Sequence, residues 1–133
     1  MTWIEPIYDR KRSDIEGLTS KAFFNAADRN RIEGNLEYLF GQYTNLTAKG
    51  IFKTDWTISD IPYKSDMDRI FINTKIINRQ ISHYILPDKI RPLTWWKLNA
   101  IEKCLQIAYD RITTMTVDSN YAGEFNSGEI GAI

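Results

Sequence analysis

Apolar residues return every three or four positions in three separate stretches of the chain. In the first, Ile32, Leu36, Leu39 and Tyr43 follow at steps of four, three and four, with Phe40 widening the stripe, which is the spacing of one helical face. In the second, Met67, Ile70, Thr74, Ile77, Ile81 and Tyr84 make a heptad-like seam, and Phe71, Ile72 and Ile76 broaden it beyond what one partner helix covers. The third is the most regular: Leu98, Ile101, Leu105, Ala108, Ile112 and Met115, flanked by Trp95 and Tyr109. Start signals precede each stripe. Asn25 can cap the first helix with Asp28 at the positive end of its dipole, Ser65 and Asp68 are spaced as a capping box for the second, and Thr94 precedes the third.

The pattern predicts a mainly α fold, a three-helix bundle-like body over residues 25–118. Residues 1–24 read as an N-terminal arm and a short turn: Trp3, Ile4, Ile7 and Tyr8 are large and apolar, Pro6 forbids a regular helix through them, and Ser13 can cap a turn. Between the first two helices, Ile51, Phe52, Trp56 and Ile58 alternate imperfectly with polar residues, which predicts a short strand or an ordered loop pinned by Trp56. Residues 119–133 lose the helical period around Gly123 and Gly128 and read as an extended or β tail.

The first two helices also repeat one another in their polar positions. Asp28, Arg31, Ile32 and Asn35 recur as Asp66, Arg69, Ile70 and Asn73, each 38 positions later. A fainter third copy sets Glu102 against Glu33 and Leu105 against Leu36, while Cys104 stands where the asparagine was. Arginine and asparagine four apart share one helical face, so Asp28, Arg31, Asn35, Asp66, Arg69 and Asn73 are expected to position the helices by hydrogen-bonding what packs beside them. A partner-contacting face is the alternative.

Composition changes this picture little. At 133 residues, 43% hydrophobic and 26% charged, the chain is one globular domain's worth. Seventeen basic residues balance seventeen acidic ones, which argues against a nucleic-acid partner held by phosphate neutralisation. No run approaches the roughly 18 apolar residues of a membrane span, and the N-terminus lacks a secretory leader, so assembly in a cytoplasm is expected. Cys104 is the only cysteine and reads as a buried small hydrophobe. His83 is the only histidine, no nucleophile elbow or phosphate-cradling loop accompanies it, and the acidic pairs are better explained as caps than as metal ligands. No catalytic residue, cofactor or metal is therefore expected. Trp95 and Trp96 project about 100° apart on one helix, so both are core only if that helix is nearly surrounded.

The stretches FNAADRNRIEGNLEYL, KTDWTISDIP leading into SDMDRIFINTKII, LTWWKLNAIEK and YAGEFNSGE together resemble a family of small proteins and N-terminal modules encoded among the tail and baseplate genes of phages and prophages of Gram-positive bacteria. YDRKRSDIE resembles the family's opening, although the connection from there to Asn25 is shorter than in many members. The resemblance covers residues 3–129. It implies a structural role in the virion tail, baseplate or fibre attachment, in many copies, with this chain itself and neighbouring tail proteins as partners, and it assigns no catalytic residue. Trp3, Ile4, Tyr8, Trp95, Trp96, Tyr121 and Phe125 are the expected interface residues, with the two termini tying subunits together. The alternative is a phage-encoded binding module that acts on a host protein outside the virion.

Overall fold

A computed structural model describes residues 3–11, 24–43 and 50–122, with side chains through Thr114. Among these residues it is mainly helical, with three α-helices: α1 (Ala26–Gln42), α2 (Lys64–Ile77) and α3 (Trp95–Ala122). Among the described residues there is no strand, so residues 50–63, between α1 and α2, take the ordered-loop form of the two readings.

Each helix begins on a side chain that takes up orphan amides. At α1 the box is closed both ways, the Asp28 amide donating to Asn25 Oδ1 (2.9 Å) and the Asn25 amide to Asp28 Oδ2 (3.2 Å). At α3 the Lys97 amide donates to Thr94 Oγ1 at 3.3 Å. The start of α2 differs from the Ser65–Asp68 expectation. Tyr63 is the cap residue, and its amide donates to Asp66 Oδ2 at 2.8 Å, so Asp66 rather than Asp68 closes the turn.

The second helix also ends earlier than its apolar seam. After Ile77 the backbone widens into one π turn, Asn78–Ser82, and stops at His83 in the left-handed region (φ 52°). Side-chain hydrogen bonds fix the turn and tie it to α3. Asn78 brackets the Tyr84 backbone, donating to its carbonyl (2.8 Å) and accepting from its amide (2.7 Å). Arg111 Nη1 donates to the Ile81 carbonyl at 2.7 Å and Ser82 Oγ to that of Cys104 at 2.7 Å. The extra residue in the turn keeps Ile81 in the core and turns Tyr84 outward.

The core is the three stripes facing inward: Ile32, Leu36 and Leu39 from α1, Met67, Ile70, Phe71 and Ile77 from α2, and Leu98, Ile101, Leu105 and Ala108 from α3. Each fully buried Leu or Ile contributes about 1.5–3 kcal/mol relative to exposure. Cys104 is buried among them, and burial pushes its thiol up to about 11 against the opposing effect of Ser82. The third helix runs to Ala122, so residues 119–122, Tyr121 included, are helical where an extended tail was expected. The rest of that tail with Phe125, and the turn expected at Ser13, lie outside the described residues. Among the described residues no helix is long and apolar enough to cross a membrane.

Candidate functional site

The repeated polar residues form two clasps of the same design, each joining two helices and one extended segment. In the first, Arg31 on α1 reaches Glu102 on α3 through two bonds, Nε to Oε1 (2.7 Å) and Nη2 to Oε2 (2.8 Å), and is steadied by Asp28 Oδ1 at 2.6 Å. Burial alone would lower the Arg31 guanidinium pKa. The hydrogen bonds and charges of Glu102 and Asp28 outweigh it and hold the group above the ordinary arginine value. The N-terminal arm lies across this seam with its backbone read at three points. Asn35 accepts from the Ile4 amide (3.0 Å) and donates to the Ile4 carbonyl (2.7 Å). Glu102 Oε1 accepts from the Ile7 amide at 3.1 Å, and Asn99 brackets the Arg10 backbone at 3.1 and 2.9 Å. Arg10, only 2% exposed, adds its own guanidinium to Glu102 Oε2 at 2.8 Å.

The second clasp repeats this between α2 and α1. Arg69 reaches Glu33 by Nε to Oε1 (3.2 Å) and Nη2 to Oε2 (2.7 Å), and Asp66 Oδ1 steadies it at 2.8 Å. Asn73 donates to the Ile51 carbonyl at 3.0 Å, Glu33 Oε1 accepts from the Lys53 amide at 3.1 Å, and Asn30 brackets the Trp56 backbone at 2.7 and 2.9 Å. Where Arg10 occupies Glu102 Oε2 in the first clasp, the Trp56 indole occupies Glu33 Oε2 in the second at 2.7 Å.

This geometry explains why the third sequence copy is faint. Each clasp needs a donor half (Asp, Arg, Asn) and an acceptor half (Asn, Glu). The first helix carries both, α2 carries the donor half as Asp66, Arg69 and Asn73, and α3 carries the acceptor half as Asn99 and Glu102. The third junction lacks both halves, with Ala100 and Cys104 at the donor positions and Phe71 in place of the glutamate. A third extended segment still runs there. Its Arg91 meets Asp68, the α2 counterpart of Asn30, at 3.6 Å in an exposed pair. The signal for this segment was in the sequence: Trp3-Ile4-x-Pro6 and Arg10 recur as Tyr84-Ile85-x-Pro87 and Arg91, 81 positions on.

Between the first and third segments the outer face of α3 is open, forming a groove of about 830 Å³. Trp96, Asn99, Ala100 and Lys103 form its floor, Tyr8 one bank, and His83, Tyr84, Ile85, Leu86 and Pro87 the other. Trp96 is 48% exposed and Ile85 89% exposed. Lys103 Nζ sits 4.7 Å from the Tyr8 ring centre, and Lys97 Nζ 5.6 Å from that of Trp96, so cations hold the aromatic faces.

Of the expected interface residues, Tyr8 and Trp96 therefore come together at one groove. Trp3 lies elsewhere, half-buried and stacked on Tyr109 (centroids 4.3 Å apart, planes 11° apart), with Tyr38 beside them. Ile4 is bracketed by Asn35 with its side chain half-exposed, and Trp95 is half-buried. Among the described residues no cluster of three or more His, Cys, Asp or Glu side chains is placed to hold a metal ion. No family model matches this chain, and no curated protein or solved structure shows a significant similarity to it.

Proposed function

We propose that this protein is a structural component of a phage tail, baseplate or fibre-attachment assembly that works through subunit contacts and needs no cofactor. The observation that carries the reading is the α3 groove: aromatic and aliphatic side chains left partly in water on a frame that two ion-paired clasps, one of them buried, hold in place. An apolar surface held in a fixed shape costs little to order on association, which suits a part used in many copies. The resemblance of the helix-start and arm motifs to phage tail modules supplies the context, a virion part assembled in the host cytoplasm. Mass spectrometry of purified particles tests it. Peptides from this chain at constant stoichiometry with tail proteins are the expected result. Expression during infection with absence from particles would instead favour a phage-encoded module that uses the same groove on a host protein.

A further inference from the structure

The groove on α3 is apolar and cationic. Trp96 and Ala100 give it a floor, Tyr8 and Ile85 its banks and Lys103 its charge, and no carboxylate is among its described lining residues. Lys103 Nζ lies over the Tyr8 ring and Lys97 Nζ over that of Trp96. Among the described residues neither lysine pairs with a carboxylate. The surface therefore suits a segment that brings an apolar side chain and a carboxylate together.

The chain carries such a segment at the far end of the groove's own helix. All seventeen lysines and arginines lie within residues 1–111, whereas residues 112–133 hold Asp118, Glu124 and Glu129 and no basic residue. Phe125 and Ile130 stand next to the two glutamates. The acidic stretch ahead of α2 is no substitute, because Lys53 pairs with Asp55 at 3.0 Å and Arg69 with Asp66 at 2.8 Å within one chain. Reach decides which copy supplies the segment. Trp96 and Ala122 are 26 positions apart on the continuous α3, about 39 Å at a helical rise of about 1.5 Å per residue. Phe125 is three positions beyond Ala122 and returns at most about 11 Å even fully extended, so it cannot touch the Trp96 of its own chain.

We propose that the α3 groove receives residues 123–133 of a second copy of this chain, with Phe125 against Trp96 and the carboxylate of Glu124 facing Lys103. The two surfaces differ, so the contact closes by mutual exchange between two chains or by passing from copy to copy around a ring. It rests on the reading of this chain as an assembly component, but not on which particle holds it.

Disulfide trapping between two variants of the full chain tests the contact. Asn126→Cys chains, which keep Phe125, are mixed with Ala100→Cys chains and oxidised, and the buried Cys104, its thiol pushed up to about 11, competes poorly. The mixed dimer is expected to exceed either homodimer about tenfold. Ile58→Cys, on the loop before α2 and 98% exposed, is expected to give no such excess with Ala100→Cys. Adding Lys103→Glu to the groove chain should cut the yield about tenfold, and Glu124→Lys in the tail chain should restore it. Phe125→Ala in the tail chain should lower the yield as far, with no rescue by charge. Circular dichroism and thermal midpoints establish that each variant is folded. Equal trapping at Asn126→Cys and Ile58→Cys, or folded charge variants with unchanged yield, would overturn the contact. A disulfide closing within one doubly substituted chain would place the segment on its own α3 and overturn the exchange. Failure to trap while the chain is present in purified particles would sink this contact and leave the structural role standing.

Discussion

The two clasps share one bonding plan and differ in what surrounds it. In the α1–α3 clasp two guanidiniums, Arg10 and Arg31, converge with two carboxylates, Asp28 and Glu102, all with side chains under 10% exposed. In the α2–α1 clasp Arg69 stands alone against Glu33 and Asp66 with 23% of its side chain exposed, and a neutral indole takes the second arginine's place. The Trp56 ring is in turn covered by cations, Arg29 at 4.6 Å and Lys53 at 5.1 Å. The comparison separates bonding geometry from burial. Identical bonds are expected to have unequal consequences, because a stranded charge costs most where water cannot reach it.

The largest effect should come from the acceptors. Glu102→Ala leaves Arg10 and Arg31 buried without their shared carboxylate and should cost about 3–5 kcal/mol, measured by urea unfolding. Glu33→Ala strands the partly exposed Arg69, the Trp56 indole and the Lys53 amide, none of them a fully buried charge, and about 2 kcal/mol is expected. Equal losses would mean that burial does not set the difference.

Next come the asparagines that hold the extended segments. Asn35 serves both the amide and the carbonyl of Ile4, whereas among the described residues Asn73 serves the Ile51 carbonyl alone. Asn35→Ala should cost about 2 kcal/mol and Asn73→Ala about 1. The Asn35 variant should also expose residues 3–11 to protease first, because its bonds fasten the arm. A reversed order of stability would show that the loop, not the arm, is the more tightly held segment.

Acid sharpens the comparison from the other side. The Tyr63 amide, with Arg69, holds the Asp66 carboxyl below the ordinary value against the opposing effect of burial. A carboxyl depressed in the folded state adds stability above its unfolded pKa of about 4, and loses it as pH falls through the folded value. Unfolding midpoints should therefore drop below about pH 4, and Asp66→Asn should flatten part of that slope.

The smallest effect belongs to the junction with no clasp. His83 holds a left-handed backbone that L side chains adopt at a cost, so His83→Gly should change stability by no more than about 1 kcal/mol, in the stabilising direction. Destabilisation would indicate that the imidazole, on the groove bank, makes a contact that holds the π turn.

The three helices, their inward stripes and two of their caps were legible in the residues, because a period of 3.6 and an Asn or Thr before it act locally. The 38-residue repeat was legible as well. What it was for was not: Arg31 meets a carboxylate 71 positions away and Arg69 one 36 positions away. The arm shows the same boundary. Its large apolar residues and Pro6 marked it as an arm without saying what it lies against. Tertiary contacts seat it on its own α1 and α3, because Arg10 and the Ile4, Ile7 and Arg10 amides find Glu102, Asn35 and Asn99 there.

The chain by itself determined where helices start and which faces turn inward, since those depend on neighbours within a few residues. Only the tertiary structure decided that the faint third copy is the acceptor half of a clasp, and that α2 yields to a π turn after Ile77. It alone brought Tyr8, Tyr84 and Trp96 around one groove. Each of these depends on which distant backbone groups need a partner once the stripes have closed, and no local period carries that information.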